Sequence, residues 1–385
     1  MFTPSTTSNH RRKLAWLTLK LLPGLGNRSL LKLVRHFGSP EAILDASSAD
    51  LDRVIGLRPH AVRALRSCQP SRDPAAEWQM LQDQGFRLVC LDDPDYPANL
   101  AAIADPPVVV YVNGLLEPRD LVAVAVVGSR AASAPGMAFT ERLCSDLARC
   151  GITIVSGMAV GIDSAAHRGA LRAQGRTLAV LGCGLDQDYP RENRDLRLRI
   201  VNAGALLSEF PLGTPPEPGH FPARNRIISG LALGVVVVEA AQRSGSLITA
   251  RLALEQGREV FAVPGMARNY RSIGAHQLLR QGAKLVETAE DILEEIRPMI
   301  RRSHIAAETR HTESAAAGGA VRGEFSRDEA ALLAVLEREA LHIDDLGRLL
   351  QWPASQVASV LQSLELKGAV QQLPGKHFSS MVTGY

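Results

Sequence analysis

Residues 220–250 read HFPARNRIISGLALGVVVVEAAQRSGSLITA, and the fold turns on their middle. Val235 to Val238 is apolar without polar alternation, so the strand it forms is buried on both faces, as in a parallel sheet covered by helices. The segment before it, with His220, Phe221, Arg224 and Arg226, reads as a loop entering a short helix; Ser244-Gly245-Ser246 after it reads as a turn opening another helix. In open α/β sheets, ligands bind beyond the carboxyl ends of the strands. The residues gathered here suit an anion: guanidinium groups for phosphate oxygens, glycine-turn N–H groups at a helix N-terminus, and a ring able to stack on a base.

Outward from this stretch, apolar strand-like runs recur at 88–91, 108–112, 122–127, 152–155, 177–181, 205–208 and 259–263, with helical patterns at 137–148, 164–173, 194–203 and 247–256. Such alternation predicts an α/β, doubly wound, mostly parallel sheet. Its loops carry small and polar residues. Val127 is followed by Gly128-Ser129-Arg130, with Ser133 and Gly136 beyond. Val155 is followed by Ser156 and Gly157, with Gly161 and a capping Asp163 at a helix start, and Leu181 by GCGLDQDYP. Each loop alone is equally well ordinary turn chemistry; together with the arginine cluster they argue for one phosphate-binding crevice. The spacing is neither GxGxxG nor a P-loop, since no lysine follows these turns. Asp163, His167, Glu209, His220 and Glu239 are the candidate catalytic groups, but they form no nucleophile–base pattern and no metal-ligand spacing. They read as a cap, a core histidine and partners for arginines.

Net charge is +3 over 385 residues, unevenly spread. Residues 1–70 carry 11 Lys+Arg against 4 Asp+Glu, whereas residues 326–385 carry 5 against 7. Nucleic-acid binding by the middle must therefore come from local clusters. No apolar run approaches the ~20 residues that cross a bilayer, and the N-terminus lacks a signal-peptide core, so a cytoplasmic protein without membrane contact is expected. The five cysteines are scattered and read as reduced thiols, and no metal or cofactor is implied.

Residues 1–70 contain two glycine turns entering basic helices, Pro23 to Gly26 and Ile55 to Pro59. They resemble helix-hairpin-helix (SAM-like) domains, which offer turn N–H groups to a DNA phosphate; the alternative is a helical packing domain whose glycines cap helices. Arg28, Lys32, Arg35, Arg58, Arg63 and Arg66 favour the phosphate contact. A flexible connector around Pro70 to Pro74 leads into the core at 71–302. Residues 303–325, rich in Ala, Gly, Ser and Thr, read as a tether. Residues 326–385 offer helices at 328–338, 343–350 and 354–366 and two strands around a Pro-Gly turn, an order resembling a winged helix. Its third helix carries Ser355, Gln356, Ser359, Gln362 and Glu365 with only Lys367 as a cation, which favours a protein-contact or autoregulatory role over duplex binding.

The motifs VAVVGSRAAS, SGMAVGIDSAAHRGAL, GHFPARNRIISG through AVPG, and GAHQLLRQGAKLV closely resemble those of the bacterial DNA-processing family DprA (Smf). The resemblance implies an extended Rossmann-like core that binds single-stranded DNA without sequence preference. It further implies homodimers that protect incoming DNA and load the RecA recombinase during natural transformation, with single-stranded-DNA-binding protein as a further partner. It implies no enzymatic activity. Carried over by motif, Gly128, Ser129 and Arg130 are phosphate-pocket residues, Phe221 is the base-contacting aromatic and Arg224 a backbone contact. Ser133, Ser156, Gly157, Gly161, Arg226, Ser244, Gly245 and Ser246 complete the expected DNA-binding set. The segment Ala275 to Leu285, with His276, Leu278, Leu279 and Leu285, is the expected dimerisation and recombinase-facing region. The rival reading is a nucleotide-processing enzyme, phosphoribohydrolase-like, using the same crevice.

Overall fold

The computed structural model describes residues 4–300 and, beyond them, 327–336, 341–353, 356–357, 360–361, 364, 370–373 and 377–380. The expected tether at 303–325 and much of the third helix of the C-terminal module lie outside the described residues. The chain divides at residue 300 into two units.

In chain order the first unit runs α1 (Pro4–Leu21), α2 (Asn27–Phe37), α3 (Pro40–Leu44), α4 (Ser48–Asp52), α5 (Pro59–Ser67), α6 (Pro74–Asp83), β1 (Arg87–Cys90), α7 (Ala98–Ala101), β2 (Val109–Gly114), β3 (Ala123–Val127), α8 (Ala134–Arg149), β4 (Thr153–Ser156), α9 (Ile162–Arg172), β5 (Thr177–Leu181), α10 (Arg194–Ala203), β6 (Ala205–Ser208), α11 (His220–Leu231), β7 (Gly234–Val237), α12 (Gly245–Glu255), β8 (Glu259–Ala262), α13 (Ile273–Arg280), β9 (Lys284–Leu285) and α14 (residues 289–300). The nine strands form one sheet in the order β1-β2-β6-β5-β4-β3-β7-β8-β9. β6 through β9 pair in parallel along that order, while β2 pairs antiparallel with both β1 and β6.

The unbroken apolar strands follow from burial on two faces. Ala123, Ala125, Val235 and Val237 pack against Ile227, Ala250 and Ala275 of α11, α12 and α13. Their neighbours Val124, Val126 and Val236 pack against Leu143, Ala166 and Ile292 of α8, α9 and α14. From β3 the chain steps through β4, β5 and β6 to one side, then returns to place β7 on the other side of β3. That reversal is a topological switch point, where the two flanking carboxyl-end loops diverge and leave a crevice.

The N-terminal helices share a core with this sheet: Trp16, Leu17, Leu30 and Leu81 cluster with Leu88, Val109, Tyr111 and Leu206. Gly24 and Gly56 hold the two expected turns at φ +82 and +73. Lys32 donates to Gly56 O at 2.7 Å, and Arg66 to both carboxylate oxygens of Asp52 at 2.9 Å.

The connector read as flexible around Pro70 to Pro74 is instead pinned. Ser71 N donates to Leu21 O at 2.9 Å, and Arg72 donates to Leu212 O and lies 3.1 Å from the Glu77 carboxylate. Glu77, fully buried, also accepts from Leu212 N at 2.8 Å. Proline at the first position of α6 begins a helix here and does not mark a loose segment. Removing Glu77 strands the Leu212 N–H and the Arg72 charge, so Glu77→Ala is expected to lower unfolding free energy by about 3 kcal/mol in urea melts.

The second unit contains α15 (Arg327–Leu336), β10 (Leu341–His342), α16 (Ile343–Leu350), β11 (Val370–Leu373) and β12 (His377–Ser380). Its strands form a sheet in the order β10-β12-β11 over a core of Leu332, Leu346, Leu361 and Phe378.

Candidate nucleic-acid interface

At the switch point the structure opens a crevice of ≈ 650 Å³. Gly128, Ser129 and Arg130 line it from the loop after β3, Asp163 from α9, Tyr189 from the loop after β5, Phe221 and Arg224 from α11, and Arg243 to Ser246 from the loop after β7. Of the expected set, Gly128, Ser129, Arg130, Phe221, Arg224, Ser244, Gly245 and Ser246 therefore come together. Ser244 caps α12, its hydroxyl accepting from Ser246 N at 3.3 Å and lying 2.8 Å from Ser246 Oγ. The positive end of an eleven-residue helix thus opens into the crevice.

HFPARNR is not a loop. His220 begins α11, so Phe221 and Arg224 sit one turn apart on a rigid element. Proline at position 222 falls in the first helical turn, where its missing N–H costs nothing. Arg224 is only 4% exposed. Its Nη1 donates to Gly157 O at 2.6 Å and Val180 O at 2.5 Å, tying α11 to the ends of β4 and β5, and its Nε finds no partner among the described residues. Burial lowers the Arg224 pKa and the Asp163 carboxylate opposes that; burial likewise raises Asp163, with Arg224 opposing.

Phe221 is half-buried, with Arg130 Cζ 5.1 Å from its ring centroid and the Tyr189 ring 5.8 Å away at 41°. A guanidinium over one aromatic face with a second ring beside it suits a base and its phosphate together. Tyr189 and Arg243 were missed by sequence reasoning; Tyr189 stands inside the loop GCGLDQDYP that it singled out, and Arg243 directly precedes the Ser244-Gly245-Ser246 turn.

The other expected residues serve the fold. Ser133 caps α8, accepting from Gly136 N at 3.0 Å, and its N–H and hydroxyl donate to the Glu239 carboxylate at 2.9 and 2.5 Å. Ser156 Oγ donates to Val126 O at 2.6 Å. Gly157 makes room for Arg224, since a Cβ there would lie 2.0 Å from Nη1. Gly161, at φ +87, lets the start of α9 pass the loop after β3, where a Cβ would meet Ser129 O at 2.4 Å. Arg226 does not line the crevice; it bonds Glu209 at 2.8 Å and lies 3.5 Å from Asp105. Asp163 does not cap α9 but accepts from Ala159 N, outside the helix, at 3.3 Å. His220 stacks on Phe210, ring centroids 4.2 Å apart.

In the expected dimer segment, Leu278 is buried and Leu279 partly buried under α13, and His276 Nε2 lies 3.0 Å from Gly265 O. Leu285 is exposed, as are Met266, Tyr270 and Ile273 nearby in sequence.

His167 is the core histidine that the sequence suggests. Thr177 Oγ1 donates to Ile154 O, so it accepts from His167 Nδ1–H at 2.7 Å, leaving Nε2 buried without a partner among the described residues. Burial, with the Arg224 and Arg168 charges, pushes its pKa down to about 3. A histidine neutral in the fold but free to protonate when unfolded stabilises fully above its ordinary pKa near 6.5 and loses that contribution as pH falls toward 3. Between pH 7.5 and 5 the loss is about 2 kcal/mol. Asp163, raised in the fold, titrates in the opposite sense, so the comparison that isolates His167 is wild type against His167→Gln. The variant's urea stability is expected to fall less on acidification.

The fold and crevice define a Rossmann-like α/β protein with an arginine- and aromatic-lined crevice at its switch point. Comparisons with known proteins narrow this. Residues 87–297 match the model of DNA recombination-mediator protein A, and residues 313–376 match the DprA winged helix domain. Protein Smf of Escherichia coli is 38% identical over 365 residues, 94% of each chain, and DNA processing protein DprA of Streptococcus pneumoniae is 42% identical over 71% of this chain and 94% of its own. The X-ray structure of S. pneumoniae DNA processing protein A superposes with a TM-score of 0.65 at 39% identity, covering 74% of this chain and 97% of that one. The chain belongs to the DprA/Smf family of DNA recombination-mediator proteins.

Proposed function

We propose that the β3/β7 crevice holds single-stranded DNA without sequence preference, and that the protein protects incoming strands and loads RecA on them during natural transformation. The observation that carries the binding is the convergence of Phe221, Tyr189, Arg130 and Arg224 with the α12 N-terminus: ring faces that accept any base, beside charges that accept any phosphate. None of the lining side chains forms a pattern for reading base edges. A second copy joined through the α13–β9 edge, where Leu285 is exposed, gives two crevices per particle and avidity for a strand that spans both. Single-stranded-DNA-binding protein is a further proposed partner, the cytoplasm the proposed compartment, and protein contact the proposed role of the C-terminal module. Glu239 bonds Ser133 through both carboxylate oxygens and does not line the crevice, which tells against it as the base of the enzymatic alternative.

The test compares labelled oligo-dT, a mixed-sequence single strand and a duplex of equal length by fluorescence anisotropy, then follows RecA strand exchange on strands precoated with single-stranded-DNA-binding protein. Equal, salt-sensitive affinity for both single strands, weak duplex binding and a shortened lag in exchange are expected. Preference for duplex overturns the binding reading, and an unchanged lag overturns the loading reading.

A further inference from the structure

The crevice does not stop at α12. Arg243, Ser244 and Ile248 line it and also line a neighbouring groove of ≈ 570 Å³ between α12 and α13. The remaining walls include Leu247, Arg251 and Leu254 of α12 with Gly274 and Gln277 of α13 and Gln281 just after it, and no lining residue is acidic. Arg243 and Arg251 are exposed, and among the described residues neither guanidinium makes a hydrogen bond or ion pair.

We propose that this groove is a second single-strand subsite, continuous with the crevice, so that a strand leaving Phe221 passes the α12 N-terminus at Arg243 and runs along the helix to Arg251. The inference rests on the single-strand reading of the crevice. Arg251 lies six residues beyond Gly245, about 9 Å along the helix axis, far enough to neutralise a different phosphate from the one held at the helix end. The Gln277 and Gln281 amides donate to phosphate oxygens or base edges on the opposite wall, and Leu254, largely exposed, offers an apolar surface for a base. The groove takes the side of α13 that carries Gly274 and Gln277, one residue along the helix from Ile273 and His276. A strand here leaves the exposed Leu285 edge free for a second copy.

The test titrates full-length wild type and Arg251→Ala with a four-nucleotide and a twelve-nucleotide oligo-dT across a salt series. Arg251 is exposed and unpaired, so its removal leaves folding intact. For the longer strand, the variant is expected to bind about fivefold more weakly and with a log–log salt slope shallower by about 0.7. The four-nucleotide strand, short enough for the crevice alone, is expected to bind unchanged. Equal affinity of wild type and variant for the longer strand overturns the proposal. Intact DNA affinity with impaired recombinase loading overturns it too and assigns the groove to a protein partner. If Arg130→Ala/Phe221→Ala also leaves both strands bound, the crevice reading itself fails.

Discussion

Alanine at both Arg130 and Phe221 is expected to weaken single-stranded DNA binding by about 100-fold at moderate salt, at a cost of about 1 kcal/mol in unfolding free energy for the half-buried ring. Stacking a base on an aromatic contributes about 1–3 kcal/mol, and a charge-assisted phosphate contact about 1.5 kcal/mol or more. Arg130 Cζ lies 5.1 Å from the Phe221 ring centroid, so the two act on the same nucleotide and their effects are coupled. The pair is a cleaner probe than Arg224. Arg130 is exposed and Phe221 half-buried, whereas Arg224→Ala leaves the Gly157 and Val180 carbonyls unpaired in the interior and confounds binding with stability. The loss is expected to be equal for all base compositions, as anisotropy with dT, dC and dA oligomers checks. A loss confined to one composition contradicts sequence-independent stacking.

Gly157→Ala is expected to damage both stability and binding. The added methyl would lie 2.0 Å from Arg224 Nη1 and 2.5 Å from Cζ, so the guanidinium must leave the carbonyls of Gly157 and Val180. Losing those charge-assisted bonds costs about 2–3 kcal/mol, and a displaced guanidinium no longer sets the floor of the crevice, for an expected affinity loss of about tenfold or more. The cause is checked by a double-mutant cycle. On an Arg224→Ala background nothing remains to clash, so Gly157→Ala is expected to be nearly silent in urea melts and in DNA titrations. Additive effects would mean that the alanine acts elsewhere.

Gly157 shows where sequence reading reached its limit. Its loop was legible as a special turn, because glycine after a buried strand and before a helix is a strong local pattern. What the glycine admits is a side chain from a helix 67 residues away, and no local pattern encodes that. Gly182 repeats the lesson, since a Cβ there would lie 2.9 Å from the Phe221 ring. Arg226 is the complementary case. Next to Arg224 in sequence it reads as a second phosphate ligand, yet its partners Glu209 and Asp105 arrive from the end of β6 and the loop before β2.

The sheet was far more legible. β5 and β6 coincide residue for residue with their apolar runs, and α10 with its helical pattern, because burial on both faces demands an unbroken apolar run and the glycine at 204 ends the helix. Helix starts were less so. α8 begins at Ala134, three residues before the expected 137, because Pro135 and Gly136 look like breakers but fit a first turn capped by Ser133. Pro74 likewise begins a helix where a flexible joint is expected, and the stretch with Pro222 in its first turn is a helix where a loop is expected. β9 is two residues long, too short for any periodicity.

The central claim, that the strand lies across the β3/β7 switch point, is tested most directly by ultraviolet cross-linking of oligo-dT to the full-length protein, followed by mass spectrometry of the cross-linked peptides. Adducts at Tyr189 and Phe221, lost in the Arg130→Ala/Phe221→Ala variant, are the expected result. Adducts confined to the basic turns around Gly24 and Gly56, with none in the peptides that carry Tyr189 and Phe221, would contradict it.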